Sequence, residues 1–63
     1  MLLTFTDALT KDCIAINPAY VTAVFLVPEG DNKGKTVIGV TNGSIMIEEN
    51  YIETVGRLNG ELK

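Results

Sequence analysis

Apolar and polar positions alternate over short stretches of this chain, and turn-forming residues break the alternation at intervals, a pattern that predicts strands. Leu2 to Thr6 reads as a first strand, with Leu3 and Phe5 on one face and Thr4 and Thr6 on the other. A polar turn region follows from Asp7 to Asp12. Cys13 to Ile16 repeats the alternation with Ile14 and Ile16 sharing a face, and Asn17-Pro18 stops it. Asn17 to Tyr20 is expected to form one turn of 3₁₀-helix.

Val21 to Val27 is different in kind. Alternation puts Val21, Ala23, Phe25 and Val27 on one face and Thr22, Val24 and Leu26 on the other, so both faces are largely apolar. Such a strand reads as one covered on both sides. A small chain with one short helix has little material for the second cover, so the surplus face predicts a subunit interface, with a curled, closed monomer as the alternative.

Pro28 to Lys35 is read as a flexible polar loop. Thr36 to Thr41 and Ser44 to Ile47 then flank Asn42-Gly43, the strongest short-range hairpin signal, because a type I′ turn needs positive φ at both central residues. Counting outward from that turn sets Val40 opposite Ile45 and Ile38 opposite Ile47 as the buried side. Thr41, Ser44, Gly39 and Met46 fall on the other side, where Gly39 leaves a gap beside Met46.

A helix is expected from an Asn50 cap, with Glu53 completing a capping box and Glu48 and Glu49 near the positive end of the dipole. Tyr51, Ile52, Val55, Leu58 and Leu62 recur at helical spacing, Arg57 lies in the last turn, and Asn59-Gly60 reads as the stop before a tail, Glu61 to Lys63. The helix is expected to pack over one sheet face. The pattern predicts a single domain over residues 1–63, mainly β (α+β): a small antiparallel sheet or partly open barrel of about five strands with one short C-terminal helix.

Composition strengthens the strand reading, since Val, Ile and Thr supply 19 of 63 residues. The length excludes most enzyme architectures. With no histidine and a single cysteine, Cys13, the chain lacks the usual zinc ligands and any internal disulfide, which leaves self-association as its reinforcement. A net charge of −3 disfavours nucleic acid as a partner. The lone cysteine and the absence of a basic, then apolar, leader at the N-terminus point to the cytoplasm. The longest apolar run, Ala23 to Val27, is far short of the ~20 residues that span a bilayer, so no membrane partner is expected.

Several chemical motifs are approached and missed. Gly30-Asp31-Asn32-Lys33-Gly34-Lys35-Thr36 ends like a phosphate loop but is one residue short between its glycines and leads into a strand rather than a helix. Glu29, Asp31 and Asn32 lack the alternating ladder and distal glutamate of a calcium loop. Cys13 has no histidine to activate it and reads as a small packed side chain. Glu49 and Glu53 are explained by a helix N-terminus more simply than by acid/base chemistry. Phe5, Tyr20, Phe25 and Tyr51 read as packing residues, because Lys33, Lys35 and Arg57 are too dispersed to make a basic groove around them. No catalytic residue, cofactor or metal ligand is expected.

A short first strand, Ile16-Asn17-Pro18-Ala19-Tyr20-Val21, Thr36-Val37-Ile38 leading to Thr41-Asn42-Gly43, and Ile47-Glu48-Glu49-Asn50-Tyr51-Ile52-Glu53 together resemble the FlbD family of small bacterial flagellar-associated proteins. The layout is equally similar to that of strand-rich accessory proteins encoded by phages. The chain differs from the FlbD pattern in having Ala8-Leu9-Thr10-Lys11 for an early Asn-Gly turn and a longer loop at Pro28 to Lys35. The resemblance implies a β-rich accessory protein without catalysis. The chain also resembles the carbon storage regulator family in its Met-Leu start, its strands and its terminal helix. Where that family carries RNA-reading arginines, this chain has Thr4, Thr6, Glu48 and Glu49.

The functional expectation is a non-enzymatic, cytoplasmic accessory protein, a homo-oligomer that binds an unidentified protein and is phage-like in layout. The alternatives are an oligomer that sequesters an anionic small molecule through Lys33, Lys35 or Arg57, and an RNA-binding regulator. The candidate interface residues are Thr22, Val24, Leu26, Glu29, Asp31, Asn32, Lys33, Lys35 and Met46.

Overall fold

The computed structural model describes residues 2–62, with side chains through residue 60. Strands β1 (Leu3–Thr6) and β2 (Cys13–Ile16) form one antiparallel pair, in which Leu3 lies opposite Ile16 and Phe5 opposite Ile14. That register gathers the alternate apolar residues of both strands on a single face. The Asp7 carboxylate shapes the connection by accepting from the Leu9 and Thr10 N–H groups at 2.8 and 3.1 Å. A 3₁₀ turn, Pro18–Tyr20, is capped by Asn17, whose side chain accepts from the Ala19 N–H at 3.0 Å.

β3 (Val21–Leu26), β4 (Thr36–Val40) and β5 (Gly43–Ile47) form a second antiparallel sheet in that order. The end of β1 continues along β5 through an Asp7–Ile47 bridge, a Glu48 N–H to Thr6 C=O bond of 2.9 Å and an Ala8 N–H to Met46 C=O bond of 3.0 Å. The two sheets thereby wrap a common core of Phe5, Ile16, Ile38 and Ile47, with Leu3, Ile14, Val21, Val40 and Ile45 packed around it. The barrel stays open.

Helix α1 (Tyr51–Leu62) packs against β3 and the 3₁₀ turn. Asn50 caps it by accepting from the Glu53 N–H at 2.7 Å. Thr54 and Leu58 are its buried residues, and the Thr54 hydroxyl is satisfied by donating to the Asn50 carbonyl at 2.8 Å. The Arg57 guanidinium sits 4.5 Å from the centre of the Phe5 ring and donates to the Thr4 carbonyl at 2.8 Å, tying the helix to β1.

The five antiparallel strands and the capped C-terminal helix match the sequence-based expectation, but several details are corrected. The strict alternation expected over Val21 to Val27 is broken by a β-bulge between Val21 and Ala23. Val21 therefore joins the core, and the Thr22 hydroxyl fills the space beside Gly39, where a Cβ atom would meet it at 3.4 Å. The hairpin turns at Thr41-Asn42 rather than at Asn42-Gly43, and neither residue has positive φ. Ile38 consequently faces Ile45, and Ile47 faces Thr36. The observed register favours the far end of the hairpin, since it sets Lys35 beside Glu48 and Val37 beside Met46, whereas the expected one places Val37 beside Glu48.

The helix does not stop at Asn59-Gly60 but runs on to Leu62; the Leu62 side chain and Lys63, expected in the helix face and tail, lie outside the described residues. Ile52, expected on the packed face, is 82% exposed, because Thr54 and Leu58 define a stripe rotated away from it. Cys13 is exposed rather than packed, since Ile14 and Ile16 take the inner face of β2. The Glu49 carboxylate accepts from the Thr6 N–H at 2.9 and 3.1 Å, so this residue anchors β1 in addition to standing near the helix start. Pro28 to Lys35 is a hydrogen-bonded turn, with bonds from Lys33 N–H to the Gly30 carbonyl and from Gly34 N–H to the Val27 carbonyl at 3.2 and 3.0 Å.

Candidate binding face

The register of β3, β4 and β5 divides their side chains between two surfaces. Toward the core point Val21, Val24 and Leu26, then Thr36, Ile38 and Val40, then Ile45 and Ile47. The opposite, outer face is built in rows. Its middle row is Phe25, Val37 and Met46, paired across the three strands. On one side lies a row of small residues: Thr22 and Ala23 at the bulge, Gly39 and Ser44. On the other side Glu48 joins Lys35 at 2.9 Å and also pairs with Lys11.

The result is an apolar strip with a flat, small-residue margin and a charged margin. β1 and β2 pack their apolar residues into the core, and α1 contacts β3 and the 3₁₀ turn, with Val55, Leu58 and Asn59 bordering Val21 to Val24. Phe25 remains 47% exposed, Met46 is half-buried, and Val37 between them is buried, at 8% exposure. The Lys11–Glu48–Lys35 row is held by ion pairs that are partly solvated, and each contributes little to stability, about 0 to 1 kcal/mol. Its effect is to fix two lysine side chains at the edge of the strip.

The expected interface residues fall into three groups. Thr22, Lys35 and Met46 lie on the outer face. Glu29, Asp31, Asn32 and Lys33 are exposed in the turn that joins β3 to β4, at the charged end of that face. Val24 and Leu26 are on the core side of β3, Val24 half-buried and Leu26 46% exposed beside the start of α1. Phe25 and Val37, the centre of the strip, were not among the expected residues. The charge pattern carried a clue, because a Lys35–Glu48 pair belongs to the register that sets Val37 beside Met46.

The three residues considered as an anion site are separated. Arg57 is engaged with Thr4, the Phe5 ring and, at 3.9 Å, Glu53; Lys35 is paired with Glu48; Lys33 projects from the turn. Thr36, at the end of the phosphate-loop-like segment, opens β4 and is buried, so its neighbours present no helix N-terminus. Among the described residues no group of three or more acidic or cysteine side chains is placed to hold a metal ion, and no helix is long and apolar enough to cross a membrane.

No family model matches the chain, and no curated protein or solved structure matches it significantly.

Proposed function

We propose that this chain is a non-enzymatic accessory protein that works as a homo-oligomer and binds a protein partner through the outer face of its β3–β5 sheet. The observation that carries the reading is the exposed Phe25 on the outer face, in a row with the half-buried Met46 and with Val37 beneath them. An apolar strip with polar margins is the composition of a protein contact: the centre supplies desolvation, and the Lys11–Glu48–Lys35 row and the exposed turn supply specificity at the rim. The likeness to FlbD-type and phage-encoded accessory proteins supports the same class of role, including modulation of a larger cellular machine. An exposed, unpaired Cys13 is in keeping with a reducing, cytoplasmic setting.

Affinity capture from source cells tests the reading. Wild-type bait is expected to retain a specific protein that Met46→Lys bait loses while keeping the wild-type circular dichroism spectrum. Equal capture by both baits removes the outer face from the account.

A further inference from the structure

We infer that a second copy of this chain pairs with β3 along its open edge, in an antiparallel ladder centred on Phe25. The inference rests on the homo-oligomer proposed above and assigns its interface. β3 is an edge strand, since β4 is its only strand neighbour among the described residues. The Val27 N–H donates to the Lys35 carbonyl at 3.0 Å, and this fixes the alternation along the strand. Phe25 and Ala23 turn their peptide groups toward β4, while Val24 and Leu26 turn theirs outward, where no protein group among the described residues meets them.

Natural sheets guard such an edge with charge, proline or a bulge. From Val21 to Val27 there is no charge and no proline, and the one bulge, at Thr22, leaves Ala23 to Val27 regular. Self-pairing answers this geometry. With Phe25 opposite Phe25 across a twofold axis, Val24 of each copy faces Leu26 of the other, so the outward N–H and C=O groups meet in reciprocal hydrogen bonds and the bulge stays outside the ladder.

The helix extends the same surface. Ile52, Val55, Gly56 and Asn59 form an uncharged stripe on α1. Ile52 borders a groove of about 680 Å³ that also touches Leu26, and Val55 and Asn59 border one of about 150 Å³ along Val21 to Val24. Strand edge and helix stripe are therefore contiguous. No charged side chain lies between Val21 and Val27, and the one acidic residue bordering the Leu26–Ile52 groove is Glu53. A stable dimer needs about 800 Å² from each partner, roughly a fifth of the 4191 Å² this chain exposes, more than one strand edge alone offers. Pairing about an axis perpendicular to the sheet places both Phe25–Val37–Met46 strips on the same side of one continuous sheet, which gives the partner protein a doubled site.

Directed cross-linking of the 63-residue chain tests this assignment. A residue facing its own copy in a non-hydrogen-bonded antiparallel pair has Cα atoms ~4.5 Å apart, within the range a disulfide spans. In a Cys13→Ser background, Phe25→Cys is expected to convert largely to a covalent dimer under mild oxidation, whereas Ser44→Cys, on β5, stays monomeric in denaturing gels. Leu26→Lys is expected to weaken self-association by about tenfold or more with the circular dichroism spectrum unchanged. An oligomer that persists in solution while Phe25→Cys fails to cross-link and Leu26→Lys leaves its affinity intact overturns the edge and leaves the homo-oligomer standing. A wild-type chain that is monomeric at every concentration overturns both.

Discussion

Two buried threonines show how single polar atoms are handled in so small a core. Thr54 is fully enclosed, yet its hydroxyl donates to the Asn50 carbonyl. Thr36 is equally buried, and its Oγ1 has no hydrogen-bond partner. An orphaned buried hydroxyl costs about 1–3 kcal/mol, so Thr36→Val, which keeps the shape, is expected to raise stability by about 1 kcal/mol in chemical denaturation. Thr54→Val is expected to lower it. Asn50→Ala removes the bond to the Glu53 N–H and is expected to cost about 1 kcal/mol, read in the same assay. The capping role of Asn50 was legible in the sequence because it depends only on neighbours a few positions away. The positions of Glu48 and Glu49 were not: one pairs with Lys11 and Lys35, the other holds the Thr6 N–H, and both are long-range consequences of the fold.

At the scale of elements, period-two patterning was sufficient to find the strands and the inner faces of β1, β2, β4 and β5, since burial on one face fixes side-chain parity. Two departures escaped it. The turn moved by one residue without changing which side chains of the hairpin are buried, because the resulting shift in pairing is even. The bulge at Thr22 moved Val21 to the core face while Ala23 to Leu26 kept the expected alternation, and the Thr22 hydroxyl it brings in lies beside Gly39 of the neighbouring strand. α1 likewise continues past Asn59-Gly60 in spite of a local stop signal, and its buried stripe is set by Phe5 and the sheet rather than by its most apolar residues. Ile38 is fully buried between β3 and β5. Ile38→Ala is expected to cost about 2–5 kcal/mol, comparable with the total stability a core this small supplies, so thermal melts are expected to show the variant largely unfolded.

At the scale of the whole molecule, one sheet face is packed and the other is not. The sequence pattern of Val21 to Val27 already carried this surplus of apolar surface, and the structure distributes it between an outer strip, Phe25–Val37–Met46, and an open edge flanked by Ile52, Val55 and Asn59. The candidate site was thus legible as an excess, but its outline depended on the bulge and on the Lys35–Glu48 register. The central claim is that the open edge of β3 draws copies of the chain together. Light scattering coupled to size exclusion, run over a concentration series from the micromolar range upward, tests it most directly. The expected result is a mass that rises toward twice 6.8 kDa with a concentration-dependent monomer fraction, and a mass fixed at 6.8 kDa throughout contradicts it.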